Sequence, residues 1–194
     1  MVMQPEAPSI VLGSAQPEEH VDRDAARREG VEVARRRSGG GAVLVTEETI
    51  VWVDLILPSG HDLWEADVGK AGWWVGSAWA AALESLSVPG DITVWKERLR
   101  STDWSSRVCF AGVGPGEVLI DGKKAVGVAQ RRTRSAALFQ TAVLIDWRPG
   151  ELVPLLALDP DSRRRAAADL ESSAIAVRRS PAELLEAFLA ALPG

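Results

Sequence analysis

The stretch RRRSGGGAVLV, residues 35–45, places three arginines and three consecutive glycines in front of an apolar run. Glycines lack a Cβ atom, so they allow backbone N–H groups to approach a bulky ligand closely. The adjacent guanidinium groups suit a phosphate or a carboxylate. A flexible hairpin beside a solvated basic strand fits equally well, because neither GxGxxG nor GxxxxGK[ST] is present. Alone, the stretch predicts a loop, with anion binding as one of two interpretations.

A second stretch, IDGKKAVGVAQRR at residues 120–132, contains the clearest turn in the sequence. The pair Asp121-Gly122 is typical of a two-residue hairpin, because both positions require a positive φ angle. Lys124 follows this turn closely, and its ammonium is a compact charge that can stabilise an oxyanion or a phosphate. Small residues come next and leave room for a substrate. An ordinary surface hairpin with exposed lysines would give a similar pattern.

The composition is that of a globular, acidic protein. Hydrophobic residues make up 46% of the 194 residues and charged residues 25%, which predicts a folded chain with one domain. Lys and Arg number 22 against 27 acidic residues, for a net charge of −5. Because nucleic-acid binding depends mainly on neutralising phosphates, this balance argues against a nucleic-acid partner.

The sequence has few cysteine and histidine residues, and no targeting segment is recognised in it. Cys109 is the one cysteine, so it cannot form an internal disulfide, and with only His20 and His61 beside it we expect no metal site. No basic and apolar secretory segment opens the chain, and no apolar run approaches the roughly 20 residues that cross a bilayer. We therefore expect a cytoplasmic protein without a membrane partner.

Apolar periodicity predicts more strand than helix in the middle of the chain. We expect strands at 9–13, 31–37, 42–45, 50–58, 92–96, 107–112, 117–120, 123–130 and 137–147. We expect helices at 22–29 and 62–88 and a set of C-terminal helices within 150–194, with residues 1–8 disordered and a hairpin turn at 47–49. Strands and helices do not alternate regularly, so the fold class is α/β of the α+β type, a mixed, largely antiparallel sheet flanked by helices.

Taken together, ARRRSGGGAV and the later GKKAVGVAQRR resemble the lipoate-protein ligase and octanoyltransferase family, which is related to biotin ligases. The family pattern is approximately RRxSGGGAV followed by GxKxxGxAxR. The residues that match it are Arg35, Arg36, Ser38, Gly39, Gly40, Gly41, Ala42, Lys124, Gly127, Ala129 and Arg131. The resemblance runs from about residue 9 to about residue 147. It implies one catalytic domain over 1–194 with the biotin/lipoate ligase fold, which is similar to class II aminoacyl-tRNA synthetases.

The resemblance implies first an ATP-dependent ligase. Such enzymes join lipoate to ATP as an acyl-adenylate and then acylate a lysine of a lipoyl domain, in a 2-oxo-acid dehydrogenase or the glycine-cleavage H protein. In this chain the motif residues at 35–42, with Gly127 and Ala129, would bind substrate or nucleotide. Lys124 would stabilise negative charge in the reaction. Glu117 falls where the family often has an acidic residue, near the nucleotide or Mg²⁺.

Cys109 suggests a second mechanism. In one branch of the transferases a Cys-Phe pair precedes the lysine motif, and Cys109-Phe110 occupies a similar place here. A thiolate at this position would accept octanoyl from acyl-carrier protein as a thioester, with Lys124 stabilising the thiolate and no need for ATP. A lone cysteine in an apolar strand is also compatible with an inert core residue.

The sequence departs from the family pattern at two polar pairs. Val45 and Thr46 stand where many members have His-Asp after the glycines, and the stretch 138–140 stands where many have His-Gly. Family members also usually have a longer segment before the first matching strand. These differences leave a third possibility, a degenerate, non-catalytic member or one subunit of a split ligase.

Overall fold

The computed structural model describes residues 1–3 and 5–193, which form a large and a small β-sheet with helices. The strands are β1 Val2–Met3, β2 Ser9–Leu12, β3 Glu32–Arg35, β4 Val43–Val45, β5 Ile50–Pro58, β6 Ile92–Val94, β7 Val118–Ile120, β8 Lys123–Arg132 and β9 Ala136–Leu144. The large sheet has the order β1-β5-β9-β8-β7-β6, and each neighbouring pair is antiparallel. The small sheet, β3-β2-β4, combines one parallel and one antiparallel pair. The predicted mixed, largely antiparallel sheet is therefore confirmed.

Local sequence explains the centre of the large sheet. β5 is an almost continuous apolar run, and it pairs with β9 from Ile50 opposite Leu144 to Pro58 opposite Ala136. β7 and β8 are joined by the predicted turn, in which Asp121 has φ 50° and Gly122 has φ 75°. This two-residue turn sets the position of Lys124 at the start of β8.

Five α-helices complete the described fold. They are α1 Arg23–Arg28, α2 Trp73–Ser85, α3 Pro149–Leu152, α4 Pro160–Glu171 and α5 Pro181–Ala190. α2 and α5 cover one face of the large sheet, where the Trp79 and Phe188 rings stack at 3.9 Å. α4 packs with the small sheet through Ala166 and Leu170. None of the described helices combines the length and the apolar character that a bilayer crossing requires.

Four local predictions differ from the structure. The disorder expected at the N-terminus is wrong for Val2 and Met3, which form β1 and pair with Val53 and Trp52 of β5. The helix expected over 62–88 is limited to α2, since residues 62–72 form turns. The strand expected at 107–112 is a 3-10 turn at Cys109–Ala111. The turn at 47–49 joins the two sheets rather than forming a hairpin, because β4 pairs with β2.

Candidate functional site

A cleft of about 730 Å³ lies where the small sheet meets β5 and β9 of the large sheet. Its wall is mainly apolar. The apolar side chains that line it include Met1, Met3, Val11, Val45, Trp52, Ile56 and Leu138. A polar extension of about 610 Å³ shares the arginines at 35–37 and Arg131 with this cleft, and it is also lined by Ser14, Gly39 and Gln130. The cleft thus offers an apolar groove that continues into an arginine-rich mouth.

The glycines at 39–41 form a compact loop between β3 and β4. Gly40 has φ +97°, a conformation that favours glycine. A Cβ atom on Gly13 would overlap the carbonyl oxygen of Gly40, and one on Gly41 would lie 2.6 Å from the backbone nitrogen of Val108. The glycines therefore allow this loop to pack directly on two other backbone segments. This close packing was not foreseen, because the sequence suggested either a ligand loop or a flexible hairpin.

Arg35 and Arg36 line the cleft, but their guanidinium groups donate to backbone carbonyls. Arg35 donates to the carbonyl oxygens of Gly13 at 2.8 Å and Gln16 at 2.7 Å. Arg36 is buried and donates to the carbonyls of Val11, Gly39 and Gly41. The two guanidinium groups thus hold the loops together, a structural role that the sequence did not predict.

Two other arginines are better placed to meet an anion. Arg37 and Arg131 are exposed and line both parts of the cleft. Within residues 1–3 and 5–193, neither side chain has a hydrogen-bond partner or an ion-pair partner. Ser38 lies beside Arg37, is 1% exposed, and its hydroxyl has no partner among the described residues. Arg37 and Arg131 therefore supply positive charge at the mouth that no described acidic side chain pairs with.

The Lys124 ammonium lies at the centre of a buried polar cluster, apart from the residues that line the cleft. Its Nζ atom is 2.7 Å from Oε1 of Glu117, 2.8 Å from the carbonyl oxygen of Cys109 and 3.1 Å from that of Gly112. Burial disfavours its charge, but Cys109 and Glu117 outweigh this effect, so the pKa of Lys124 is raised above its ordinary value. Lys124 is thus a fixed positive charge whose three protons already have oxygen acceptors.

Glu117 does not fit the expected place beside a nucleotide or Mg²⁺. Its side chain is 8% exposed, and its carboxylate accepts from Lys124, from the Gly114 N–H at 2.7 Å and from the Val128 N–H at 3.3 Å. Both carboxylate oxygens are therefore engaged within the protein. A Cβ atom on Gly127 would lie 3.4 Å from Cε of Lys124, so this glycine is a direct neighbour of the lysine side chain.

Cys109 lies between this cluster and the glycine loop. Its Sγ atom is 3.8 Å from Nζ of Lys124, and a Cβ atom on Gly40 would lie 3.8 Å from the same sulfur. The backbone N–H of Cys109 donates to the carbonyl of Ala42, which places the end of the loop against the cysteine. The structure therefore brings together the thiol, the ammonium and the glycines that the two sequence motifs supplied.

A polar chain across the cleft was missed at the level of sequence. Gln140 on β9 accepts from the Ser38 N–H at 3.1 Å and donates to both carboxylate oxygens of Asp54. Asp54 also accepts from the indole N–H of Trp52 at 2.8 Å. Ala129 pairs with Gln140 in the sheet and is half-buried. Asp54 could have been noticed, because it is the one charged residue in the apolar run 50–58.

Relatives with similar sequences are octanoyltransferases. Octanoyltransferase LipM of Carboxydothermus hydrogenoformans is 29% identical over 191 residues, which cover 94% of this chain and 69% of the relative. Octanoyltransferase LipM of Moorella thermoacetica is 26% identical over 159 residues, which cover 81% of this chain and 57% of that protein. The chain thus spans little more than half of the length of some of these curated relatives.

A similar solved structure comes from a study of a bipartite lipoate protein ligase and its E2 lipoyl domain from Thermoplasma acidophilum. The match has a TM-score of 0.74 at 21% identity and covers 95% of this chain and 66% of that one, which supports the fold expected from the resemblance. The model of the lipoyl protein ligase A/B catalytic domain matches residues 1–186. The chain therefore belongs to the lipoyl protein ligase A/B catalytic domain family.

Proposed function

We propose that this protein transfers an octanoyl group from a carrier-protein thioester to the lysine of a lipoyl domain, through a thioester on Cys109. The observation that carries the proposal is the 3.8 Å separation of the Cys109 sulfur from the buried Lys124 ammonium. A fixed positive charge at this distance stabilises a thiolate, which is the nucleophilic form of cysteine. The octanoyltransferase relatives support the same choice.

In the first step the Cys109 thiolate attacks the carbonyl carbon of the octanoyl thioester. The carbon–sulfur bond to the carrier breaks, the carrier thiolate leaves with its electron pair, and an octanoyl-Cys109 thioester remains. In the second step the neutral ε-amine of the acceptor lysine attacks this thioester. An amide forms, the amine gives up a proton to water, and the Cys109 thiolate is regenerated.

Lys124 acts as a charge rather than as a hydrogen-bond donor to the substrate. Its protons are donated to Glu117, Cys109 and Gly112 oxygens, so its contribution to an oxyanion is electrostatic and does not require it to move. The apolar part of the cleft, with Trp52 and Leu138 in its wall, suits an acyl chain.

The ATP-dependent ligase mechanism stays a prediction, with lipoate, ATP and Mg²⁺ as its substrates and cofactor. Glu117 gives it no support as a metal ligand, because its carboxylate is already bound by three donors. Arg37 and Arg131 are suited to the phosphate of either an adenylate or a phosphopantetheine carrier, so they do not separate the two mechanisms.

Intact-mass measurement separates these mechanisms. The full chain is incubated with octanoyl acyl-carrier protein without ATP, and we expect a gain of one octanoyl group on the protein. Apo lipoyl domain then discharges it, and Cys109→Ala abolishes both events. The thioester mechanism is wrong if acylation of the lipoyl domain requires ATP with free lipoate or octanoate, and if the Cys109→Ala variant still carries it out. No acylation under either condition would refute both mechanisms and leave a binding role.

A further inference from the structure

We infer that Gln140 is a positioning residue, which holds the glycine loop over Cys109 by linking the loop to the large sheet. Its side-chain oxygen accepts from the Ser38 N–H, while its side-chain nitrogen donates to Asp54 at 3.1 and 3.2 Å. One amide thus provides the acceptor that faces the loop and the donor that faces the sheet.

Other contacts of the loop lie on its own side of the cleft. The carbonyl of Ser38 accepts from the N–H of Ser14 in the segment that follows β2, and Arg36 at the end of β3 binds loop carbonyls. The far end of the loop is joined to the cysteine segment through Ala42 and Cys109. Among the described residues, the side-chain contact that ties Ser38 to the large sheet is the hydrogen bond that Gln140 accepts from the Ser38 N–H.

Asp54 keeps the Gln140 amide in the required orientation. The carboxylate can only accept hydrogen bonds, so it selects the NH₂ group of Gln140 and turns the amide oxygen toward the loop. The indole of Trp52 donates to the same carboxylate and limits its movement. The orientation of the loop-facing acceptor is therefore determined by a chain of three side chains.

This arrangement matters for Cys109 because the loop lies beside the sulfur of this half-buried residue. Gly40 lies so close that an added Cβ atom would contact Sγ at 3.8 Å. Release of the Ser38 N–H would allow the loop to open and would expose the thiol more often. The consequence for acyl transfer rests on the proposed function, but the effect on the thiol does not.

Alkylation of Cys109 tests the inference without any substrate. Because Cys109 is the only cysteine, the rate of iodoacetamide addition to the native full chain can be followed by intact mass. We expect Gln140→Ala to raise this rate about fivefold, the factor that corresponds to about 1 kcal/mol for one hydrogen bond. The matched control is Gln130→Ala, which should leave the rate unchanged, since Gln130 lines the cleft but donates to the carbonyl of Val68.

A charge exchange shows whether the hydrogen-bond chain, and not the volume of Gln140, is responsible. Gln140→Glu places two carboxylates against each other and should also raise the alkylation rate. Asp54→Asn combined with Gln140→Glu restores a donor opposite an acceptor, and we expect the rate to return to within about twofold of the wild type.

Two results would overturn the inference. One is a wild-type alkylation rate in folded Gln140→Ala, and the other is a double variant that stays as reactive as Gln140→Glu. If Gln140→Ala does not fold, the comparison of the double variant with Gln140→Glu decides. If the variants change the alkylation rate as expected but the protein transfers no octanoyl group, the proposed function is refuted and the inference about Gln140 stands.

Discussion

Lys124→Met tests the buried ion pair, because it removes the ammonium and leaves the Glu117 carboxylate behind. The two side chains are 2% and 8% exposed, and their charged atoms are 2.7 Å apart. Removing one partner of such a buried pair typically costs about 3–5 kcal/mol of unfolding free energy. The N–H groups of Gly114 and Val128 still donate to the carboxylate, so we expect a loss of about 3 kcal/mol at pH 8.

The loss should depend on pH with a definite sign. Burial raises the pKa of Glu117, and the Lys124 ammonium opposes this increase. Without Lys124 the folded-state pKa lies further above the unfolded value of about 4.3. Between these two values the folded variant binds more protons than the unfolded chain, so its stability falls as the pH rises. The deficit relative to the wild type should therefore be larger at pH 8 than at pH 5.

Urea unfolding at both pH values measures these differences. The control is Glu117→Gln combined with Lys124→Met, which removes the buried charge and should show a smaller deficit with little difference between pH 5 and pH 8. A Lys124→Met variant as stable as the wild type at pH 8 would contradict the existence of the buried pair. Equal deficits at both pH values would show that the loss comes from packing and not from an unpaired carboxylate.

Two further changes test the loop and the C-terminal helix. Gly13→Ala should displace the loop, because its Cβ atom would overlap the Gly40 carbonyl. We expect the unfolding free energy measured in urea to fall by about 1–3 kcal/mol and Cys109 to be alkylated faster. A variant with wild-type stability and a wild-type alkylation rate would contradict this packing. Ser180→Ala removes the capping box formed with Glu183 at the start of α5, and it should lower the unfolding free energy by about 1 kcal/mol without affecting Cys109. A Ser180→Ala variant with altered alkylation would indicate that α5 and the cleft are coupled.

The local sequence was sufficient to predict structural elements that depend only on neighbouring residues. The Asp121-Gly122 turn was predicted, because turn geometry is decided by a few neighbouring residues. The strand expected around Cys109 was wrong. Its β-rich composition is overridden by long-range contacts, in which the Cys109 N–H binds the Ala42 carbonyl and the Lys124 ammonium binds the Cys109 carbonyl.

The sequence predicted which residues form the candidate site better than it predicted where their side chains point. Lys124 and Cys109 do lie together, yet the hydrogen-bonding groups of Arg36 and Glu117 are engaged by the protein itself. Spacing along the chain cannot show which way a buried guanidinium or carboxylate points. That direction depends on the acceptors and donors that distant segments bring to it. For the same reason the contact between Gln140 and Ser38, 102 positions apart, had no local signal.

The first strand has a practical consequence for work with the purified protein. Met1 lines the cleft, and its amino group donates to the Asp54 carbonyl at 2.7 Å. An affinity tag fused ahead of Met1 would therefore remove this contact and run directly from the groove proposed for the acyl chain. A tag attached after α5 would follow a helix that contributes no residue to the lining of the cleft. Substrate assays should accordingly use tags at the C-terminal end.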